Sequence, residues 1–315
     1  MSEEKLKLED LLNISPQKSD EERIEYVAII GAGVMGQGIA QSIASSGIDV
    51  LIVEKDEERL KCAKEKLSEA MEREISRWAM TKSEMKSILS RIKWTLDIQE
   101  VEDCDLIIEA VDEDFELKKG IVKQLDSIAK PNTIIVSNTS TLSLTKIAEV
   151  TKRRDKIVGM HFLNPVPKVP LVELIKAFDT SEETVERAKA FAKRIGKTSV
   201  EVYEYPGFVT TRAIVPLLNE AMYILMEGVA TAEGIDTAMK LGYNFPVGPL
   251  EMADSMGLDE VLAWMETLWK TLGEPRYRAC PILRKLVREK KLGKKTGEGF
   301  YKYNNEGKII SQEIQ

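Results

Sequence analysis

The chain has 315 residues, more than one compact core usually holds, so we expect two domains. Hydrophobic residues make up 43% of it and charged residues 31%, a balance that is typical of a globular protein and excludes a largely disordered one. The formal net charge of -7 argues against a general nucleic-acid-binding protein, which would carry a strongly basic face.

The first predicted elements form a strand, glycine turn, helix and strand. A charged segment, residues 1–23, precedes them, and we interpret it as an N-terminal extension or a loosely attached helix. The pattern then changes to EYVAII, GAGVMGQ, GIAQSIASSG and DVLIVE, which predicts a βαβ unit with parallel strands. Residues 56–91 are charged, with apolar positions at helical spacing, and we interpret them as a helical insertion.

Strands and helices alternate again after the insertion. We predict a helix over about 116–129, a short helix that begins near Ser143 and a third helix over SEETVERAKAFAKRIG. We predict strands at DLIIEA, TIIVSN, IVGM, LVELI and TSVEV. From Pro206 onward the pattern is helical, and GFYKYNNEGKII resembles a small terminal hairpin. The predicted fold class is therefore α/β, with a Rossmann-type doubly wound sheet in residues 24–205 followed by an all-helical C-terminal domain in residues 206–315.

The glycine turn carries the dinucleotide-binding fingerprint G-x-G-x-x-G in Gly31, Gly33 and Gly36. The first glycine permits a tight turn, the second lets a pyrophosphate approach the backbone, and the third allows close helix packing. The start of the helix, including Val34 and Met35, would then present backbone N–H groups to the anion. Taken alone, such a triplet can also form nothing more than a tight strand-to-helix turn.

Glu54 makes this fingerprint more specific. It ends the second predicted strand 21 residues after Gly33, where a carboxylate accepts hydrogen bonds from an adenine ribose. Because a carboxylate at this place repels a 2′-phosphate, we expect NAD as the cofactor rather than NADP. Lys55, directly after it, weakens that preference.

The chain contains a single histidine, His161, and histidine is the usual general base near neutral pH. Glu173 follows twelve residues later in the next predicted strand, after a proline-rich turn. Two strands joined in this way can bring the pair into hydrogen-bond range, where the carboxylate would fix the imidazole tautomer and stabilise the imidazolium. From these residues alone, a structural histidine and a surface carboxylate on an edge strand are equally good interpretations.

Seven segments of the chain resemble the L-3-hydroxyacyl-CoA dehydrogenase family, in the family's order: GAGVMGQGIAQ, SNTST, GMHFLNPVP, VELI, YPGFVTTR, GYNFPVGPLEMAD and KLGKKTGEGFYKY. The resemblance implies that His161 is the catalytic base and Glu173 its partner, and that Ser140 hydrogen-bonds the substrate oxygen. It also implies that Glu113 and Lys118 approach the nicotinamide half of the cofactor, and that the helical insertion covers the CoA moiety.

One position departs from the family pattern. Thr211, in the segment PGFVTTR, occupies the place of the family's active-site asparagine. Its hydroxyl can donate and accept a hydrogen bond, but it is shorter than an amide and lacks the second donor. We expect this change to affect substrate preference and turnover more than the type of reaction.

The function that we predict is NAD-dependent oxidation of an L-3-hydroxyacyl-CoA, with a short chain such as 3-hydroxybutyryl-CoA, to the 3-ketoacyl-CoA. Two alternatives stay open at this point. One is a dehydrogenase of a free hydroxy acid, as in the related gulonate dehydrogenase and lambda-crystallin group. The other is a nucleotide-binding protein without turnover, which only Thr211 supports.

Composition also indicates the partners and the compartment. The three cysteines are scattered, and we find no signal-like or long apolar segment, so we expect a cytoplasmic protein that does not bind a membrane. One histidine and three scattered cysteines offer no metal centre. The negative net charge argues against binding of nucleic acid. The C-terminal segments AIVPLLNEAMYILMEGVA and LDEVLAWMETLW have long apolar faces. Since similar proteins pair through this domain, we expect a homodimer.

Overall fold

An eight-stranded sheet with helices on both faces precedes a helical C-terminal region. The structure, a computed structural model, describes residues 23–304 and 306–311, so the predicted N-terminal extension lies outside the described residues except for Arg23. Within these described ranges, no helix is both long and apolar enough to span a membrane.

The sheet has the doubly wound order that the sequence predicts. Its strands run in the order β3-β2-β1-β4-β5-β6-β7-β8, and all neighbours are parallel except β6 and β7, which are antiparallel. The order reverses between β1 and β4, which places a ligand crevice at the carboxyl ends of these strands. The strands are β1 (Tyr26–Ile30), β2 (Asp49–Val53), β3 (Ile92–Thr95), β4 (Leu106–Glu109), β5 (Ile134–Ser137), β6 (Ile157–Phe162), β7 (Leu171–Lys176) and β8 (Thr198–Tyr203).

Helices cover both faces of the sheet, which explains why its central strands are continuous apolar runs rather than alternating ones. Several begin at side-chain caps: Asp56 and Ser181 each accept a backbone N–H, and Thr81 forms a capping box with Glu84. These helices are α1 (Val34–Ser45), α2 (Glu57–Ser76), α3 (Lys82–Ser90), α4 (Phe115–Ile128), α5 (Leu144–Ala148) and α6 (Glu182–Arg194).

The C-terminal region packs around a hydrophobic core of its own. Two buried aspartates attach its last segment to the helices: Asp254 accepts hydrogen bonds from the backbone N–H of Tyr301 and the hydroxyl of Tyr303, and Asp236 accepts one from the Tyr301 hydroxyl. Its elements are α7 (Thr210–Met226), α8 (Ala232–Tyr243), α9 (Pro249–Met256), α10 (Leu258–Leu272), α11 (Pro281–Arg288), β9 (Lys302–Tyr303) and β10 (Ile309–Ser311).

The predicted fold class is confirmed, and three local details differ. The insertion consists of two helices, because the first ends at Ser76, the chain turns at Trp78, whose φ is 58°, and the second begins after the Thr81 cap. The sequence patterns do not predict strand β3, because its four residues follow a helix without a turn signal. Strand β6 extends two residues beyond IVGM, so His161 lies within the strand and not after it. The predicted domain limits stay a prediction.

Two glycines in helices offer a matched test of how closely helix α1 packs against the glycine turn. A Cβ on Gly36 in α1 would lie 2.0 Å from the carbonyl oxygen of Gly31, whereas a Cβ on Gly120 in α4 would meet nothing within 4 Å. We expect Gly36→Ala to lower the free energy of unfolding by about 1 to 3 kcal/mol, and Gly120→Ala to raise it by up to about 1 kcal/mol. Urea denaturation measures both, and equal effects of the two changes would contradict the packing.

Candidate active site

The turn between β1 and α1 leaves open space beside its second glycine. Gly31 has a φ of 98°, and a Cβ there would lie 3.0 Å from the carbonyl oxygen of Ala110, so the protein itself requires this glycine. A Cβ on Gly33 would meet no protein atom within 4 Å. Close approach to the backbone at Gly33 is therefore available to a ligand.

The same turn presents the start of helix α1. Gly33 is the N-cap residue and supplies no side-chain acceptor, and Val34 is 71% exposed. The N–H groups of the first helical turn, which includes Val34 and Met35, have no acceptor within the helix and carry the positive end of its dipole. This arrangement fits a pyrophosphate group.

Glu54 lies against this turn at the carboxyl end of β2. Its side chain is buried, Oε1 accepts a hydrogen bond from the Ala32 N–H at 2.7 Å, and Oε2 accepts one from the Lys55 N–H at 3.0 Å. The carboxylate is therefore held beside the glycine turn with acceptor capacity left on both oxygens. Its place fits the predicted contact with an adenine ribose.

His161 and Glu173 face each other across the antiparallel pair β6 and β7. They are direct register partners, both side chains are buried, and His161 Nδ1 lies 2.6 Å from Glu173 Oε2. Glu173 is therefore not a surface carboxylate, and the interpretation of this residue as an exposed group on an edge strand is wrong. Because the carboxylate accepts a hydrogen bond from Nδ1, the neutral imidazole keeps its lone pair on Nε2.

Glu173 also accepts hydrogen bonds from the start of helix α7. Its Oε1 accepts hydrogen bonds from the backbone N–H groups of Val209 and Thr210 at 3.0 and 2.9 Å, and its Oε2 accepts one from the Thr210 hydroxyl at 2.8 Å. Burial raises the pKa of Glu173, but the hydrogen bonds from His161 and Thr210 outweigh it and hold the pKa below its ordinary value. Sequence reasoning missed Thr210, although it begins a helix in the segment that holds the site.

Glu113 organises the turn that carries Ser140. Its Oε1 accepts hydrogen bonds from the Thr139 hydroxyl at 2.6 Å, from the backbone N–H groups of Ser140 and Thr141 at 2.8 and 2.9 Å, and from the Ser140 hydroxyl at 3.2 Å. Burial raises the pKa of Glu113, but the charge of Lys118 and these hydrogen bonds bring it below its ordinary value. Ser140 and Glu113 thus belong to one hydrogen-bonded cluster.

Lys118 lies beneath this cluster and not at its surface. Its side chain is 0% exposed, and its Nζ donates to Glu109 Oε1 at 2.7 Å and lies 3.4 Å from Glu113 Oε2. Glu109, which is also fully buried, accepts a further hydrogen bond from the Ser137 hydroxyl. In this structure Lys118 contacts two carboxylates, and its expected contact with the nicotinamide stays a prediction. Sequence reasoning missed Glu109.

Thr211 is buried next to Thr210 on helix α7, and its hydroxyl makes no hydrogen bond within the described ranges. Of these two threonines, Thr210 is the one that supports Glu173. The hydroxyl of Thr211 remains available to another group. Its contact with a substrate stays a prediction.

Comparison with known proteins gives two adjoining matches. The family described as "3-hydroxyacyl-CoA dehydrogenase, NAD binding domain" matches residues 26–205, and "3-hydroxyacyl-CoA dehydrogenase, C-terminal domain" matches residues 207–303. The chain is 44% identical over 278 residues to the 3-hydroxybutyryl-CoA dehydrogenase of Clostridioides difficile, covering 88% of this chain and 99% of that protein. It is 40% identical over 291 residues to the mitochondrial hydroxyacyl-coenzyme A dehydrogenase of Homo sapiens, covering 89% and 91%.

A solved structure shows the same similarity. The (S)-3-hydroxybutyryl-CoA dehydrogenase from Ralstonia eutropha is 42% identical and superposes with a TM-score of 0.81, covering 90% of this chain and 100% of that one.

The buried pair under Ser140 can be tested by removing its cation. We expect Lys118→Met to lower the free energy of unfolding by about 3 to 5 kcal/mol, because it leaves the Glu109 carboxylate buried without a positive partner. The neighbouring Lys119 is partly exposed and pairs with Glu116 at 3.6 Å on the helix surface. Lys119→Met should cost less than about 1 kcal/mol. Similar midpoints for both variants in urea denaturation would contradict the buried ion pair.

Proposed function

The chain belongs to the 3-hydroxyacyl-CoA dehydrogenase family of NAD-dependent oxidoreductases, and we propose that it oxidises a short-chain L-3-hydroxyacyl-CoA, such as 3-hydroxybutyryl-CoA, to the 3-ketoacyl-CoA. The observation that carries this proposal is the buried hydrogen bond between His161 and Glu173. The similarity to 3-hydroxybutyryl-CoA dehydrogenases from two bacteria supports the short acyl chain.

In this proposal His161 is the general base. Its Nε2 removes the proton of the C3 hydroxyl, and Glu173, held at Nδ1, stabilises the positive charge that develops on the ring. NAD, when bound, supplies the acceptor for the C3 hydride. The Ser140 hydroxyl hydrogen-bonds the substrate oxygen, and Glu113 orients it through the contacts already described.

The residues around the glycine turn suit NAD. The open side of Gly33 and the first turn of α1 hold the pyrophosphate, and Glu54 hydrogen-bonds the adenine ribose. Since the Glu54 carboxylate is buried beside the turn, a 2′-phosphate would approach its negative charge closely. We therefore infer a preference for NAD over NADP.

A spectrophotometric assay of NADH formation tests the substrate. We expect kcat/KM for L-3-hydroxybutyryl-CoA to exceed that for free 3-hydroxybutyrate or L-gulonate by at least about a hundredfold, because remote contacts to the CoA moiety contribute to transition-state binding. The same assay with NADP should give a lower kcat/KM than with NAD. A higher kcat/KM for a free acid would favour the alternative dehydrogenase activity.

The control for this assay is His161→Gln, which keeps a polar side chain but removes the base. Loss of general-base catalysis should lower kcat by about 10² to 10⁴, while NAD binding, followed by calorimetry, stays close to that of the unchanged protein. Full activity of this variant would remove His161 from the mechanism.

The C-terminal region supports a homodimer. Val229, Leu241 and Tyr243 are each at least 70% exposed on or beside helix α8, and apolar surface of this kind favours association. We expect light scattering at micromolar concentration to give twice the 35.4 kDa mass of one chain. A mass of one chain under these conditions would reject the dimer.

A further inference from the structure

The hydroxyl of Thr210 shares an acceptor with the imidazole. Glu173 Oε2 lies 2.6 Å from His161 Nδ1 and 2.8 Å from Thr210 Oγ. The other oxygen, Oε1, accepts only backbone N–H groups, one of them from Thr210 itself. Thr210 thus donates to both oxygens of the carboxylate. Of its two donors, only the hydroxyl bonds Oε2, the oxygen that is also hydrogen-bonded to the imidazole.

These two donors have separable effects. The backbone N–H of Thr210 remains in any variant, and it ties Glu173 to the start of helix α7. The hydroxyl fixes the rotation of the carboxylate, because it holds Oε2 at 2.8 Å while the backbone N–H groups hold Oε1. It also withdraws electron density from Oε2, which favours the ionised carboxylate and keeps the shared proton on the imidazole.

We propose that Thr210 is a positioning residue for the general base: its hydroxyl aligns Glu173 Oε2 with His161 Nδ1 and sets the strength of their hydrogen bond. This inference rests on the proposed function only for its consequence in catalysis. The hydrogen-bond chain from Thr210 through Glu173 to His161 can be examined without turnover.

The test compares Thr210→Val, which has nearly the same shape and no hydroxyl, with Thr210→Ser, which keeps the hydroxyl. Thr271→Val is the matched control, since Thr271 lies on helix α10 and its exposed hydroxyl donates only to the carbonyl oxygen of Thr267. Two measurements are made on each protein: kcat and KM for L-3-hydroxybutyryl-CoA, and the NMR resonance of the imidazole Nδ1–H. Because the chain has one histidine, the imidazole signals of protein made without a histidine tag belong to His161.

We expect Thr210→Val to lower kcat roughly fivefold, which corresponds to about 1 kcal/mol, with KM changed by less than about twofold. Its Nδ1–H resonance should move downfield, because Oε2 no longer divides its electron density between two donors. Thr210→Ser should keep a kcat and an Nδ1–H resonance close to those of the unchanged protein. Thr271→Val should have the same kcat and resonance as the unchanged protein.

Two results would overturn the inference. One is an unchanged kcat and resonance in Thr210→Val, which would mean that the hydroxyl has no role. The other is an equal loss in Thr210→Ser and Thr210→Val, which would assign the effect to packing. If the unchanged protein failed to oxidise the thioester, the proposed function would fail, whereas a downfield resonance in Thr210→Val alone would still support the positioning role.

Discussion

The Glu173 carboxylate is the group on which the rest of the site depends, because it joins the sheet to the helical region. A buried carboxylate is costly unless hydrogen bonds replace its hydration. Here His161 donates from the sheet side, while Val209 and Thr210 donate from the N-cap and the first residue of α7. The imidazole and the first C-terminal helix are therefore oriented by the same group, and a shift of that helix would disturb the imidazole directly.

The antiparallel pair β6 and β7 makes this arrangement possible. Parallel neighbours need a long crossover, whereas antiparallel neighbours need only a turn, so two residues twelve positions apart can be direct register partners. The turn between them is held from beneath by Lys197, whose buried Nζ donates to the carbonyl oxygens of Val166 and Val169. The reversal of strand direction late in the sheet thus places the dyad beside the carboxyl ends of the parallel strands.

Sequence patterns predicted the parts of the site that depend on local geometry. The three glycines and Glu54 could be predicted because their spacing follows from one βαβ unit, and the pairing of His161 with Glu173 followed from one turn between two strands. Glu109 and Thr210 could not be found in this way. Glu109 ends an apolar strand, and its role depends on a lysine from the following helix and a serine from the adjacent strand. Local periodicity contains no information on such contacts.

The departure from the family pattern at Thr211 has a different meaning once its neighbour is considered. Successive residues of a helix point about 100° apart, so Thr210 and Thr211 at the start of α7 serve different surroundings. Thr210 turns both its N–H and its hydroxyl to Glu173, while the hydroxyl of Thr211 has no partner in the part of the chain that the structure describes. A change at residue 211 therefore leaves the hydrogen bonds between Thr210 and Glu173 intact. A contact of Thr211 with the substrate stays a prediction, and the departure leaves the hydrogen bonds of the dyad in place.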